Sequence, residues 1–294
     1  MEFFAQMVTS GLSVGAVYAL IGLGLNLTFW TTRVLNFGQG SVLMAGAMIT
    51  ATMVAHGQNV YASMFASMTI TGVILLLTER VGVKPLIKAS GSMGWVVSTL
   101  GIGVFLQGFA SIAFGTQAIA FPDVLFSSGD TVELLGAYIS KQYIAVFAIS
   151  TVTVCLMELF LRKSTWGYAV RAVAHDSTLA ALMGIPVRNV IIFSYLASGV
   201  LAGAAGILIA QIAGTVDPGF GLHLLVLAFV GAVVGGMGSA FGSLLGGLSL
   251  GLLEKLVGGY VSPAWAEASA FILLVAVLAV RPQGLFGKRE VVKV

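Results

Sequence analysis

Charged side chains are scarce in this sequence: Asp, Glu, Lys and Arg make up 9% of it, against about 25% in typical soluble domains. Hydrophobic residues make up 58%. This shortage of charge excludes an ordinary globular protein. The apolar runs are roughly 16 to 24 residues long, which suits helices that cross about 30 Å of hydrocarbon, whereas barrel strands are shorter and alternate polar with apolar residues. The sequence therefore predicts an all-α integral membrane protein.

Residues that carry catalytic or metal chemistry are also few. The single cysteine, Cys155, excludes an internal disulfide, and His56, His175 and His223 are far apart in the chain. The sequence has no metal-ligand spacing, no nucleophile motif of a hydrolase and no G-x-x-x-x-G-K-[ST] loop for ATP phosphates. We predict that the chain has no catalytic residues, no metal site and no cofactor of its own.

Ionisable residues are almost absent from the apolar runs. A carrier driven by a proton or sodium gradient normally places Asp, Glu, His or Lys within its spans. Glu158 and Glu254 lie near the ends of runs, where a carboxylate can face the headgroups at little cost. The sequence therefore favours a transporter whose energy comes from another protein. An ion-coupled secondary transporter is the alternative.

Glycine is abundant where charge is not. The chain has 38 glycines in 294 residues, about twice the usual share. Small residues let helix backbones approach closely in lipid, so we expect the glycines of the first run and the later G-x-x-x-G pairs to form packing surfaces. They are Gly11, Gly15, Gly22 and Gly24, then the pairs Gly199 and Gly203, Gly231 and Gly235, Gly242 and Gly246, and Gly247 and Gly251.

Nine apolar runs follow one another along the chain. They extend from about Met7 to Trp30, Val42 to Ala55, Val60 to Thr78, Met93 to Phe114, Gln142 to Leu161, Val190 to Gln211, Leu222 to Met237, Ser239 to Val257 and Ala266 to Val280. The seventh and eighth are so rich in glycine that they either cross the membrane or re-enter it. The sequence thus predicts a bundle of about eight to ten membrane segments, some broken or re-entrant. We expect residues 1–294 to form one transmembrane domain.

Lys and Arg are clustered rather than spread evenly. Eleven of the fourteen lie in an island from Arg80 to Lys88, in the segment from Arg162 to Arg188 and in the C-terminal tail, and Arg33 is a fourth position. All four positions lie on one side of the membrane if the N-terminus is outside. Since basic residues accumulate on the cytoplasmic side, we predict an external N-terminus and a cytoplasmic C-terminus.

The stretch from Thr31 to Ser41 interrupts the apolar pattern with polar residues and glycines. It is either a plain turn at the cytoplasmic surface or a broken helix whose freed backbone lines a cavity, as in transporter substrate sites. Uncharged polar residues here and in the fourth run either line a path for a neutral or zwitterionic solute or bond to neighbouring helices. They are Asn36, Gln39, Ser41 and Gln107. The loop of residues 213–223, AGTVDPGFGLH, resembles this break and hints at two related halves.

Residues 162–188, RKSTWGYAVRAVAHDSTLAALMGIPVR, form the longest polar segment between strongly apolar runs. The second half predicts a short helix, because Asp176 or Ser177 can cap its first amides and Gly184 followed by Ile185-Pro186 supplies a stop. Either the segment is a solvated loop that only orients the protein, or the exposed apolar face of this helix needs a partner. That face consists of Leu179, Leu182 and Met183.

Several segments taken together are recognisable. In order and spacing they resemble the permeases of the branched-chain amino acid type of ABC transporter, over nearly the full length of the chain. The segments are GAVYALIGLGLNLTFWTTRVLNFGQGSVLMAGA (15–47), ERVGVKPL (79–86), STLGIGVFLQG (98–108), RAVAHDSTLAALMGIPVRNV (171–190), AFVGAVVGGMGSAFGSLLGGLSLGLLEKL (228–256) and RPQGLFGK (281–288). Within that family the chain is similar to the smaller of two paired permease subunits.

The resemblance implies a subunit of a bacterial inner-membrane importer. The expected partners are a second, homologous permease, two cytoplasmic ATPases that bind the ATP, a periplasmic solute-binding protein and membrane lipid, but no nucleic acid. The resemblance also implies that Asp176 to Ile185 is the coupling helix that docks on an ATPase. The candidate coupling residues are Arg171, Asp176, Leu179, Leu182, Met183 and Gly184.

The expected solute follows from the same resemblance. The step Asn36-Phe37-Gly38 is kept, but family members often have His where this sequence has Gln39 and Glu where it has Ser41. Relatives of this type also carry urea, short amides or aromatic acids, and kinship of fold cannot choose among solutes. Branched-chain amino acids are the first expectation, and the other solutes are the alternative.

Overall fold

The structure, a computed structural model, describes residues 2–87, 94–127, 129–134 and 137–287. Met93, Lys88 of the second basic island and residues 288–294 of the basic tail lie outside these ranges. The predicted cytoplasmic location of those basic residues therefore stays a prediction.

Helices dominate the described residues, which confirms the predicted all-α class. In chain order they are α1 (Glu2–Thr32), α2 (Gln39–Ala55), α3 (Val60–Thr78), α4 (Lys84–Ile87), α5 (Gly94–Phe114), α6 (Lys141–Lys163), α7 (Thr165–His175), α8 (Ser177–Leu182), α9 (Val187–Ala213), α10 (Phe220–Gly235), α11 (Ala240–Tyr260) and α12 (Pro263–Val280). Short strands lie in the loops: β1 (Ile119–Ala120), β2 (Thr131–Leu134), β3 (Ala137–Ser140) and β4 (Thr215–Val216). β1 pairs antiparallel with β4, and β2 with β3.

Membrane-capable helices account for the apolar runs. Within the described ranges, seven helices are at least 18 residues long and apolar enough to cross a membrane. Two further apolar helices are shorter: α2 has 17 residues and α10 has 16. Each of the nine predicted runs thus corresponds to a helix, and the polytopic helical class is confirmed. The side of the membrane on which each end lies stays a prediction.

Side-chain caps explain where two of these helices begin. The Oδ1 atom of Asn59 accepts hydrogen bonds from the amides of Tyr61 and Ala62 at the start of α3. The Oγ atom of Ser239 accepts one from the amide of Gly242 at the start of α11. Such bonds satisfy amides that have no acceptor inside the helix.

The described part of the second basic island, which ends at Ile87, is helical and not a loop. α3 ends at Thr78, where the third apolar run ends, but the chain continues through a π-helical turn, Glu79–Val83, into α4. A π turn is wider than an α turn and is frequent at functional positions. Its first residue, Glu79, is buried.

The chain forms two compact units. The first contains Met1–Asn26, Phe126–Glu158 and Val226–Val294, and the second contains Leu27–Leu125 and Leu159–Leu225. Each unit draws on stretches that are distant in the sequence. The expectation of one transmembrane domain over residues 1–294 stays a prediction.

In the first unit, small residues bring α1 against α10 and α11. A Cβ atom added to Gly15 would lie 2.7 Å from the carbonyl oxygen of Gly247. One added to Gly22 would lie 3.2 Å from the Cβ atom of Ala232. These distances confirm the predicted packing surface of the first run at Gly15 and Gly22.

In the second unit, α9 packs against α2 and α3 in the same way. A Cβ atom added to Gly46 of α2 would lie 2.7 Å from the Cα atom of Gly203. One added to Gly199 would lie 2.7 Å from the Cα atom of Gly72 in α3. The prediction for the Gly199 and Gly203 pair is therefore confirmed.

The two units share one plan. A long helix, a break, a short helix and another long helix follow each other in α1–α2–α3 and again in α9–α10–α11. In the second unit, α2 and α3 pack against α9. In the first unit, α10 and α11 pack against α1. In both, a short helix and its successor pack on the first helix of the other set.

Candidate functional site

The break between α1 and α2 is buried at its polar residues. α1 ends at Thr32, and Arg33 turns the chain with φ +58, a left-handed conformation that is uncommon for a residue other than glycine. Asn36 and Gln39 are fully buried, and Ser41 is 9% exposed. This burial fits the interpretation as a broken helix inside the protein and not the one as a plain surface turn.

An Asx turn leads into α2. The Oδ1 atom of Asn36 accepts a hydrogen bond of 3.0 Å from the amide of Gly38, and its carbonyl oxygen accepts one of 3.2 Å from the amide of Gln39. Asparagine favours such local bonds, which direct the chain into a helix. The Nδ2 atom of Asn36 is buried and has no hydrogen-bond partner among the described residues.

The break between α9 and α10 has the same geometry. The Oδ1 atom of Asp217 accepts a hydrogen bond of 2.7 Å from the amide of Gly219, and its carbonyl oxygen accepts one of 3.1 Å from the amide of Phe220. Both breaks therefore follow the pattern [Asn/Asp]-x-Gly-x-Gly, with the helix starting at the fourth position. This shared geometry supports the hint of two related halves.

The two helix starts meet in the second unit. A Cβ atom on Gly40 would lie 2.7 Å from the carbonyl oxygen of Gly221, and one on Gly221 would lie even closer to the carbonyl oxygen of Gly40. α5 runs past both turns: a Cβ atom on Gly103 would lie 3.4 Å from the Cα atom of Gly38. One helical turn later, the Nε2 atom of Gln107 lies 3.9 Å from the Cβ position of Gly219. We call this arrangement the paired breaks.

The predicted path residues occupy different positions around the paired breaks. The hydroxyl of Ser41 donates to the carbonyl oxygen of Gly103 at 2.8 Å, and the hydroxyl of Ser198 on α9 donates to the Oε1 atom of Gln39 at 3.3 Å. In this structure, Ser41 and Gln39 thus each bond to a neighbouring helix. Gln107 is half-buried.

Sequence reasoning did not single out Asp217, a half-buried carboxylate at the second break. The available signal was the identical spacing of Asn36, Gly38 and Gly40 with Asp217 and the glycines that follow it. A carboxylate at this position can bind a cationic group of a solute, whereas the amide of Gln107 can accept and donate hydrogen bonds.

The short helix predicted in the polar segment of residues 162–188 is present as α8. The Oδ1 atom of Asp176 accepts hydrogen bonds from the amides of Thr178 and Leu179 at 2.8 and 2.9 Å. Gly184 has φ +83, and the amide of Ile185 donates to the carbonyl oxygen of Ala180 at 3.0 Å. The predicted cap and stop are confirmed, because both depend on local hydrogen bonds.

One face of α8 is strongly exposed. The exposed fractions are 57% for Leu179, 79% for Leu182 and 83% for Met183, whereas Ala180 is buried. Arg171 belongs to α7, a helix that sequence reasoning missed. Its guanidinium lies 4.8 Å from the centre of the Tyr168 ring on the same helix.

Two arginines join the segment of residues 162–188 to other elements of the second unit. The guanidinium of Arg188 forms bonds of 2.6 and 3.0 Å with both carboxylate oxygens of Glu79. The Nη2 atom of Arg33 donates to the carbonyl oxygen of Ala174 at 2.5 Å. Next to Arg33 lies a cleft of about 330 Å³ between the end of α1, the junction of α7 with α8, and the start of α9. Sequence reasoning did not foresee either contact.

Comparisons with known proteins agree in both sequence and fold. A family model described as the permease component of a branched-chain amino acid transport system matches residues 7–278. The chain is 32% identical to the high-affinity branched-chain amino acid transport system permease protein LivH of Escherichia coli K12, over 99% of this chain and 98% of LivH. It is equally identical to the permease protein BraD of Pseudomonas aeruginosa, with the same coverage. The structure of PsaBC from Streptococcus pneumoniae in complex with Fab shares the fold, with a TM-score of 0.52, 14% identity and coverage of 96% of this chain and 93% of that one.

Proposed function

Because the chain belongs to the family of branched-chain amino acid transport permease components, we propose that it is one of two permease subunits of an ATP-driven importer. The importer carries branched-chain amino acids across the bacterial inner membrane. The observation that carries this proposal is the 32% identity, over 99% of this chain, to permeases named for high-affinity transport of these solutes. The membrane-capable helices along the same length support it.

The proposed permease depends on partners for energy and for solute. A second homologous permease completes the path, two cytoplasmic ATPases bind and hydrolyse ATP, and a periplasmic binding protein delivers the solute. In the described part of the chain, no three His, Cys, Asp or Glu residues are grouped so that they could hold a metal ion. In this proposal the chain transports the solute, and the partner ATPases carry out the hydrolysis of ATP.

The proposed path passes the paired breaks. Gln107 and Asp217 are half-buried there, and a carboxylate beside an amide suits the ammonium group of a zwitterionic amino acid better than it suits neutral urea. Asn36, Gln39 and Ser41 are path residues in a state in which the first break opens. A wall of few polar groups holds the solute weakly, which favours its release.

The proposed ATPase contact is the exposed face of α8. Leu179, Leu182 and Met183 present apolar surface within the polar segment of residues 162–188, and burying such a surface against a partner is favourable. Asp176 and Gly184 hold the helix in shape through the cap and the left-handed stop. Arg171 lies on the neighbouring helix α7, with its guanidinium over the ring of Tyr168.

Reconstitution tests the function directly. The chain, its partner permease and the two ATPases are placed in liposomes, and uptake of labelled leucine is measured with the binding protein, with and without ATP. We expect uptake only when ATP and every partner are present. Import by this chain alone under a proton or sodium gradient would instead identify a secondary transporter.

Competition in the same assay identifies the solute. Unlabelled leucine, isoleucine and valine should each suppress uptake of labelled leucine, whereas urea, acetamide and benzoate should not. Suppression by urea or an amide at equal concentration would assign the chain to the alternative group of solutes. Binding of each solute to the isolated binding protein provides the independent check.

A further inference from the structure

An ion pair joins the end of the polar segment, residues 162–188, to the π turn that follows α3. Arg188 is the second residue of α9, and only Ile185 and Pro186 precede that helix after the stop at Gly184. Its guanidinium binds the carboxylate of Glu79 through two bonds, at 2.6 and 3.0 Å. The two residues are 109 positions apart in the sequence. The pair therefore connects elements that have no close link along the chain.

The geometry of this pair restricts movement between the two helices. The side chain of Glu79 is 2% exposed, so water can replace little of what Arg188 supplies. Two parallel bonds fix the orientation of the planar guanidinium as well as its distance. A buried carboxylate that loses its partner is strongly unfavourable, so the pair resists separation.

A second ion pair, which lies within one helix, can be compared with the pair of Arg188 and Glu79. Lys255 and Glu254 lie 3.4 Å apart, and the side chain of Lys255 is 36% exposed, as is that of Arg188. These two residues are neighbours on α11, so their contact joins no separate elements. The pairs are alike in charge and in exposure of the cation but differ in what they connect.

α9 continues from this joint to the first break. About two turns beyond Arg188 along α9, the hydroxyl of Tyr195 lies 3.4 Å from that of Thr32 at the end of α1. About three turns beyond Arg188, the hydroxyl of Ser198 donates to the Oε1 atom of Gln39 at the start of α2. Tyr195 and Ser198 are fully buried. Hence α9 contacts the ends of α1 and α3 and the start of α2 through polar side chains along one helix.

We propose that Glu79 and Arg188 are positioning residues that make the start of α9 and the end of α3 move together when an ATPase displaces α8. The displacement then reaches the first break through the contacts of α9 with Thr32 and Gln39. The π turn at Glu79–Val83 is the place where α3 can yield, because its backbone bonds depart from the regular helical pattern. This inference rests on the proposed function, since it requires an ATPase docked on α8.

The test measures solute imported per ATP hydrolysed by the full complex in liposomes. The central variant is the double substitution Glu79→Met with Arg188→Met, which removes the joint without leaving a buried charge unpaired, so that folding is preserved. Arg188→Lys keeps the charge but loses the two-bond geometry. Lys255→Gln is the control, because it removes an equally exposed cation from a pair within one helix.

We expect the double variant to assemble and to hydrolyse ATP, while solute imported per ATP falls by about fivefold or more, the lower end of typical coupling between sites. Arg188→Lys should show a smaller loss, and Lys255→Gln none. Wild-type solute per ATP in the double variant would overturn the inference and leave the pair a purely structural contact. Absence of ATP-driven import by the wild-type complex would contradict the proposed function instead, which keeps the two failures apart.

Discussion

Gly40 and Gly221 let the first turns of α2 and α10 meet at backbone distance. Each glycine faces the carbonyl oxygen of the other, and no side chain fits between them. Most other glycines at helix contacts face a partner helix in the same manner, but these two lie beside the polar residues of the paired breaks. Their small size therefore fixes the geometry of the candidate path.

We predict that Gly40→Ala and Gly221→Ala each destabilise the protein. The added methyl group of Gly40→Ala would lie 2.7 Å from backbone, and forcing extra volume into a packed contact costs about 1–3 kcal/mol. The thermal unfolding midpoint in detergent should fall, and uptake should fall with it.

Gly101→Ala and Gly108→Ala serve as matched controls on α5. Among the described residues, no atom apart from the neighbouring backbone of α5 itself lies within 4 Å of a Cβ atom at either position. Alanine is better than glycine inside a helix by about 0.5–1 kcal/mol, so these variants should be unchanged or slightly more stable. Equal destabilisation in all four variants would contradict the packing argument.

Substitutions of Gln107 and Gln39 distinguish a residue that lines the solute path from one that packs against a neighbouring helix. We predict that Gln107→Leu changes the rate or the solute preference of uptake, while assembly and basal ATP hydrolysis persist, because its amide is half-buried at the paired breaks. Gln39→Leu removes the acceptor of Ser198 and should also cost stability, by about 0.6–1.7 kcal/mol for a bond between membrane helices.

Asn36→Leu completes this series, and Gln142→Leu is its control. Gln142 is 7% exposed and donates to the carbonyl oxygen of Phe126, in the other unit. The Gln142→Leu variant should be less stable than the wild type, while its solute preference stays unchanged. If Asn36→Leu, Gln39→Leu and Gln107→Leu all transport at the wild-type rate with unchanged preference, the path lies elsewhere.

At the scale of elements, α8 is a short helix whose form depends on local hydrogen bonds and whose apolar side chains are exposed. Its cap at Asp176 and its stop at Gly184 come from bonds within a few residues. The same local bonds place Leu182 and Met183 outward, at 79% and 83% exposure. A short helix that shows so much apolar surface is suited to docking.

We predict that Leu182→Glu releases the ATPases or uncouples hydrolysis from uptake. Truncating a hot-spot anchor of an interface costs about 2 kcal/mol or more, and an unpaired carboxylate in the same place opposes docking further. Co-purification of the ATPases and solute imported per ATP are the two measurements.

Ser177→Glu is the matched control for that substitution. Ser177 is also exposed on α8, but it lies five residues earlier and so faces a different side of the helix. An added acid in a first turn is favourable, so this variant should couple normally. Normal uptake by Leu182→Glu would refute the assignment of α8 as the docking element.

At the scale of the whole molecule, the basic residues predict which ends of the helices are cytoplasmic. We expect cysteines at Lys84, Ser177 and Lys293 to resist an impermeant thiol reagent applied to intact cells. Lys293 lies outside the described residues, whereas Lys84 and Ser177 are exposed. The background is Cys155→Ser, because Cys155 is itself exposed.

Gln58→Cys provides the positive control for labelling. Gln58 is exposed between α2 and α3, so α3 separates it from Lys84. It should react rapidly from outside. Rapid labelling of Ser177→Cys with protection of Gln58→Cys would reverse the predicted orientation.

The sequence alone determined the protein class and most helix boundaries. α3 ends its regular part at Thr78, as its apolar run does, and α8 begins after Asp176, as its capping residue predicts. Both features depend on hydrophobicity and hydrogen bonds within a few residues, which a single sequence displays. The resemblance named the family for the same reason, since its motifs are local segments in a fixed order.

Only the tertiary structure decided which distant residues meet. Glu79 and Arg188 lie 109 positions apart, and Gly40 touches Gly221. The spacing of residues along each helix shows which share a face, but not which helix that face will contact. That choice comes from the packing of small residues across whole helices, where the free energy depends on many simultaneous contacts. The joint at Glu79 and the paired breaks are therefore products of the folded molecule, although every residue in them was visible in the chain.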